Sequence, residues 1–369
     1  MDVTNDTLML IIAVTILAIY GVVVTVLYLR QCDAASTNAE AQTVGRQRPL
    51  AASEQDKERL FAQRADDALK LTNTFQKFIP RQFVDHFAKH GKTELALGYA
   101  DEDEVAILFC DIRGFTGLSE KMVPQQLMSF LNSYFLRMNE PIHQNRGFID
   151  KFIGDAIMAL FDHPGGSASQ KATDALNAAL DLRKALALYN EHRKKSGYEP
   201  VDIGIGIHFG PVIIGTVGSE DRMDTTVIGD SVNIAYRLET LSPIYHADII
   251  VSATTLDVID SENARTTRLL DWVRVKGRQA PIEIYEVLNH LPDEQQQEKL
   301  AADAAIRKGI EMRCKQQWQA AIDCFEQART LSPNDNLASL HIDAINQLQE
   351  TPLAGDWDGA IVVETTHPR

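Results

Sequence analysis

Leu8 to Leu29 reads LMLIIAVTILAIYGVVVTVLYL, 22 residues without a charged side chain. As a helix rising ~1.5 Å per residue this run is about 33 Å long, enough to cross a bilayer. Hydrocarbon offers backbone polar groups no partner but one another, so such a run is held to a helix before anything else in the chain is considered. A cleaved leader would open on basic residues; here Asp2 and Asp6 precede the run, with no base. Leu29-Arg30-Gln31 ahead of Cys32 lacks the small residues of a lipoprotein processing site. Arg30, Arg46 and Arg48 all follow the span, so the positive-inside rule places everything C-terminal to it in the cytoplasm. The expectation is a single transmembrane anchor within residues 1–30.

The rest of a 369-residue chain has room for two or three units. A formal net charge of −15, with no clustered Lys or Arg, argues against nucleic acid as a partner. Cys32, Cys110, Cys314 and Cys324 form no C-x-x-C pair and have no histidines at zinc-site spacing, which reads as ordinary reduced thiols. Residues 31–98 are expected to be a cytoplasmic linker followed by a juxtamembrane helix. From Asp56 to about His90, Phe61, Ala65, Ala68, Thr72, Phe75 and Ile79 recur at alternating steps of four and three, and Pro80 interrupts the pattern. Under three heptads of this kind suit a short dimer stripe and one face of a domain-packed helix equally well.

Between Glu104 and Leu288 strands and helices alternate. Val105 to Ile112 is a buried-type strand, Pro124 to Asn139 an amphipathic helix, and Gly147 to Phe161 a hairpin turning at Gly154-Asp155. Ala172 to Glu191 is a second helix. Val201 to Gly218 is expected as strand, Gly-rich bend and strand, and Ser231 to Leu241 as a short helix with Ser231 as N-cap. A strand near Asp248 to Val251 and a pair at Trp272–Lys276 and Ile282–Leu288 complete the region. The order predicts an α+β fold, a ferredoxin-like βαββαβ unit with additions, over residues 99–290. Residues 291–369 turn helical: Ala302, Gly309, Ala321, Phe325, Ala328 and Pro333 stand at the offsets of one tetratricopeptide-like unit. Leu337 to Gln349, with Asn336 ahead of it, would cap that unit. A lone repeat is expected to pack on the unit before it or on its own mate.

Two carboxylates stand out. Asp111 leaves the first apolar strand and Asp155 sits in the hairpin turn; in a ferredoxin-like sheet these strands are neighbours, so the two can converge. Such a pair suits hard divalent cations with oxygen ligands, although a lone Asp in a turn is more often only a turn residue. The bend Gly114-Phe115-Thr116 could cradle phosphate oxygens on its amides. Asn233 and Arg237, four apart, share one helix face, with Ile234, Leu238 and Leu241 on the other; an amide and a guanidinium together can orient a sugar and clamp a phosphate. Lys276 precedes Gly277 at a strand end.

FCDIRGFT, KFIGDAIMALF, TVIGDSVNIAYRLE and VKGR, in this order, resemble the catalytic domain of class III nucleotidyl cyclases. The resemblance implies that Asp111, Asp155 and the Ile112 carbonyl hold two Mg²⁺ or Mn²⁺ ions per active site. It also implies that Asn233 and Arg237 position the ribose and stabilise the transition state, and that Lys276 contacts the polyphosphate. Lys151 and Thr226 match the base-recognising pair of the class IIIb adenylate cyclases, where guanylate cyclases of the family carry Glu and Cys. ATP is therefore the implied substrate, and 3′,5′-cyclic AMP and pyrophosphate are the implied products. In this family two catalytic domains meet head to tail, one providing the acidic pair and the other the remaining residues, so a chain with one such domain is expected to work as a homodimer. The resemblance further implies a bacterial cytoplasmic membrane, with a candidate protein partner at the C-terminal helical unit. A diguanylate cyclase would carry Gly-Gly-Asp/Glu-Glu-Phe at the turn, whereas Ile153 precedes Gly154 here and Ala156 follows Asp155. A cyclase-like scaffold without catalysis would leave the combined site residues unexplained.

Overall fold

The computed structural model describes residues 54–75, 80, 83, 97–219, 221–275, 280–350, 353 and 357–363. Residues 8–29 and Lys276 lie outside them; among the described residues no helix is long and apolar enough to cross a membrane. The chain divides into two compact units, 1–74 and 75–369. The first contributes helix α1 (Glu54–Phe75), whose residues 59–71 are exposed throughout, Phe61 and Ala65 of the stripe included.

The second unit is built on one sheet. β1 (Ala100–Ile112) begins with acidic, partly exposed residues and becomes buried on both faces from Val105 to Cys110, as a near-continuous apolar run requires. Its period of two sends Ala106, Leu108, Cys110 and Ile112 into one core and Val105, Ile107 and Phe109 into another. The short helix α2 (Phe115–Ser119) follows, then α3 (Pro124–Gln144), β2 (Phe148–Ile153), β3 (Ala156–Phe161), α4 (Ala168–Lys195) and β4 (Ile203–Gly218). Ser167 starts α4 with a reciprocal capping box to Gln170. The lateral order β2-β3-β1-β4, antiparallel at each pairing, is the ferredoxin-like arrangement. α3 and α4 cover one face through Phe130, Tyr134, Met138, Ile142, Leu176 and Leu182.

Additions extend the sheet. β5 (Met223–Ile228) pairs with the C-terminal half of β4, while β6 (Ile249–Ser252) runs parallel to its N-terminal half. Between them lies α5 (Asp230–Tyr245), and α6 (Ala253–Asp257) follows β6. β7 (Thr267–Val275) and β8 (Ile282–Val287) form a hairpin joined to β6 through β8. Three expectations need correction here. Val201–Gly218 does not bend into two strands; β4 is one strand of 16 residues, and its glycines make room for a neighbour. A Cβ on Gly206 would stand 2.2 Å from the Glu239 nitrogen and 2.5 Å from the Ala235 carbonyl, so the absent side chain lets α5 lie directly on the strand. The second correction is β5 itself, which the sequence reading did not contain. Third, Ser231 is no N-cap: Gly229 holds that position, and the Ser231 hydroxyl donates to the Pro211 carbonyl at 2.8 Å.

α7 (Asp293–Cys314), α8 (Trp318–Leu331) and α9 (Leu337–Glu350) lie against β7 and α5, and β9 (Ile361–Val363) adds a parallel strand beside β7. Gly309 packs on the Phe325 ring, where a Cβ would be 2.5 Å from it, and Ala321 and Ala328 are buried beside them. Ile306, Ile310, Phe325 and Leu337 share one core with Leu238, Tyr245, Leu270 and Ile284. Position 290 therefore separates chain segments that share a core. Charged side chains cross the same seam. Arg268, fully buried, pairs with Glu286 at 2.6 Å and with Asp335; Arg313, also fully buried, donates to Asp271 at 2.5 Å. Tyr245 donates to the same carboxylate at 2.8 Å.

Candidate active site

Asp111 stands one residue before the end of β1, opposite Gly204 of β4, and Asp155 follows Gly154 in the turn between β2 and β3. Gly154 has φ 66°, the left-handed conformation this tight turn requires. The turn folds inward far enough for the Ile112 N–H to donate to Asp155 Oδ2 at 3.3 Å, across 43 residues of sequence. Asp111 Oδ1 is buried and has no hydrogen-bond partner. Burial, and then the Asp111 carboxyl beside it, push Asp155 up to about 8. A third carboxyl, Glu239 on α5, is also pushed up to about 8 by burial and then by Asp111, with Arg113 pulling the other way. Among the described residues no group of three or more His, Cys, Asp and Glu side chains could hold a metal. The acidic pair is nevertheless short of positive charge and holds an unused buried oxygen, and that donor set fits a hard divalent cation.

Lys151 and Thr226, 75 residues apart, meet: the Lys151 ammonium donates to Thr226 Oγ1 at 3.1 Å. In a flat sheet β2 and β5 would be four strand spacings apart, roughly 19 Å. The contact therefore requires the sheet to curl, with β5 brought back toward β2. Asp150, pushed up to about 6 by burial and drawn down by Lys151, lies 3.4 Å from the same ammonium.

Asn233 is exposed and Arg237 half-buried on α5, while Ile234, Leu238 and Leu241 are buried on the opposite face, as the spacing predicts. Phe115 packs against the main core, and Thr116 is exposed in the first turn of α2 after Gly114 at φ 69°. The structure thus forms two groupings, Asp111 with Asp155 and Lys151 with Thr226. Among the described residues no hydrogen bond or ion pair links the acidic pair to Lys151, Thr226, Asn233 or Arg237.

Residues 98–289 match the family described as the adenylate and guanylate cyclase catalytic domain. The chain belongs to this family. It is 41% identical over 223 residues to an adenylate cyclase of Anabaena cylindrica, covering 59% of this chain and 43% of that protein. It is 34% identical over 275 residues to the terminal-differentiation-specific adenylate cyclase of Dictyostelium discoideum, covering 74% of this chain and 13% of that protein. The chain thus spans less than half the length of these relatives. Among solved structures it resembles a bacterial light-regulated adenylyl cyclase, with a TM-score of 0.55 at 25% identity over 66% of this chain and 68% of that one.

Two residues of this cyclase domain escaped the sequence reading. Arg113, inside DIRGFT, anchors the loop after β1: it donates to Asp202 at 2.9 Å, to Ser242 Oγ and to the Ala247 carbonyl, and pairs with Asp248 at 3.1 Å. Its place two residues after Asp111 was the available signal. Glu239 was visible only as a carboxylate one residue beyond Leu238 on a buried stripe. Nothing local says that this stripe faces β1.

Proposed function

We propose that the chain is an adenylate cyclase, converting ATP to 3′,5′-cyclic AMP and pyrophosphate. The observation that carries this reading is the acidic pair at the end of β1, two converging carboxylates with an unused buried oxygen. Two Mg²⁺ or Mn²⁺ ions held by Asp111, Asp155 and the Ile112 carbonyl would lower the pKa of the ribose 3′-hydroxyl and neutralise charge on the α-phosphoryl group. Arg237 and Asn233 orient ribose and phosphate, and the amides of Phe115 and Thr116 face the polyphosphate together with Lys276. Lys151, held by Thr226, reads the adenine edge. The choice of ATP over GTP rests on that pair.

The site is completed by a second copy of the chain. Within one copy no hydrogen bond or ion pair among the described residues links the acidic pair to Lys151, Thr226, Asn233 or Arg237, and apolar side chains are exposed beside both groupings. Phe152 and Ile153 precede the acidic turn, Ile213 and Ile228 are register partners on β4 and β5, and Tyr236 adjoins Arg237. A head-to-tail homodimer buries such side chains and forms two equivalent sites. Residues 8–29 anchor the assembly in a bacterial cytoplasmic membrane with the catalytic domain in the cytoplasm, and α1 pairs the two copies along its exposed stripe. The helices after 290, a tetratricopeptide-like unit, offer a surface to a protein partner. The test is product analysis of the full chain with ATP and GTP, in Mg²⁺ and in Mn²⁺: cyclic AMP is expected from ATP, and a folded dimer that makes none would remove the enzyme reading.

A further inference from the structure

Between α3 and α4 lies a cavity of about 410 Å³, within the range of small-molecule sites. None of the acidic, base-reading or ribose-reading residues lines it. Phe130, Tyr189 and Tyr198 give it aromatic walls, Ser129 and Ser133 are exposed along it, and Arg193 lies among the rings. The guanidinium carbon of Arg193 is 4.9 Å from the centre of the Phe130 ring, 5.6 Å from that of Tyr198 and 5.7 Å from that of Tyr189. Arg193 is 7% exposed, and its Nε donates to the Glu199 carbonyl at 2.8 Å. Among the described residues no carboxylate pairs with it.

That sets Arg193 apart from the other two buried arginines among the described residues: Arg268 has Glu286 and Arg313 has Asp271. A desolvated guanidinium needs a counter-charge; ring faces supply part of it, and the carbonyls at the end of α4 add a fractional charge. His192, in the same last turn, also lines the cavity, so this wall carries no acid. We propose that the cavity binds a small organic anion: a carboxylate on the terminal nitrogens of Arg193, with an aromatic or aliphatic body between Phe130 and Tyr198.

The test uses a charged and a neutral probe of one shape, 3-phenylpropionate and 3-phenylpropanamide, titrated against the full chain by ligand-observed NMR. Saturable binding of the carboxylate is expected, with the amide at least about 10-fold weaker, the usual effect of losing a charged hydrogen bond. Arg193→Gln should weaken the carboxylate by a similar factor. Because that variant disturbs a buried side chain, Ser129→Trp is the second: it fills the cavity from an exposed position on α3 and should abolish binding with the melting temperature unchanged. Amide binding as tight as the carboxylate's, or binding that survives Ser129→Trp, would overturn the proposal. So would the absence of saturable binding by 3-phenylpropionate, benzoate and octanoate alike.

Discussion

The Asp155 carboxyl accepts a hydrogen bond from Ile112 and faces a second carboxyl, so its two interactions can be separated by substitution. Asp155→Asn keeps an acceptor for the Ile112 N–H and removes the second ionisable carboxyl beside Asp111. In the absence of divalent cation the variant should melt at the same temperature as the parent or higher. With millimolar Mn²⁺ only the parent should gain stability, and cyclase activity of the variant should fall by about 100-fold or more. A variant that still gains stability with Mn²⁺ would move the cation elsewhere. Base choice is the second residue-scale question. Lys151→Glu with Thr226→Cys exchanges the pair for the one found in guanylate cyclases of the family, and the ratio of cyclic GMP to cyclic AMP from equimolar substrates should rise at least about 10-fold. Some stability is lost with it, because the new Glu adjoins Asp150, already a reluctant carboxylate in its buried position. An unchanged ratio would remove these two residues from base recognition.

At the scale of elements, His341 on α9 reports on the seam between the C-terminal helices and the sheet. Its Nε2 contacts the Leu270 carbonyl at 2.9 Å and its Nδ1 faces Arg313 at 3.2 Å, so the neutral tautomer with the proton on Nε2 satisfies both. Burial pushes its pKa down to about 4 from the ordinary 6.5. Between those values the unfolded chain binds a proton that the folded chain resists, so the contribution of this group to stability should fall as pH drops from 6.5 to 4 and fall no further below that. The raised carboxyls of Asp155, Glu239 and Asp150 act in the opposite direction over the same window. The buried carboxylates Asp271 and Asp335 lie below their ordinary value, and their losses belong to more acid pH. His341→Asn should shift the slope of the urea midpoint against pH across 6.5 to 4 so that the variant gains stability relative to the parent as pH falls; parallel slopes would dismiss the assignment. Elements also show where sequence reading succeeds. β1, the hairpin and the buried face of α5 were legible because period and turn chemistry are local. β4 was misread because its glycines serve the approach of α5, and β5 was missed because a six-residue strand after a break has no period of its own. Arg113, Glu239 and the Arg268 and Arg313 pairs depend on contacts between segments far apart in sequence.

At the scale of the whole molecule, one copy gathers the acidic pair at the end of β1 and the Lys151–Thr226 pair across the curled sheet, with apolar side chains exposed beside each. If both groupings served one site within a copy, each substitution would kill that copy's own site and mixing two dead proteins would recover nothing. If each site takes the acidic pair from one copy and Arg237 from the other, the outcome differs. Asp155→Ala and Arg237→Ala proteins should each be nearly inactive. Co-expressed in equal amounts with random pairing, half of the dimers are mixed, and each mixed dimer holds one intact site of two, so about a quarter of the parental activity should return. Asp155→Ala paired with Asp111→Ala is the control: both lesions fall in the same half of the site, and every dimer then has both sites damaged. Recovery in the first mixture and none in the second would require a shared interface. Equal silence in both would confine the whole site to a single copy.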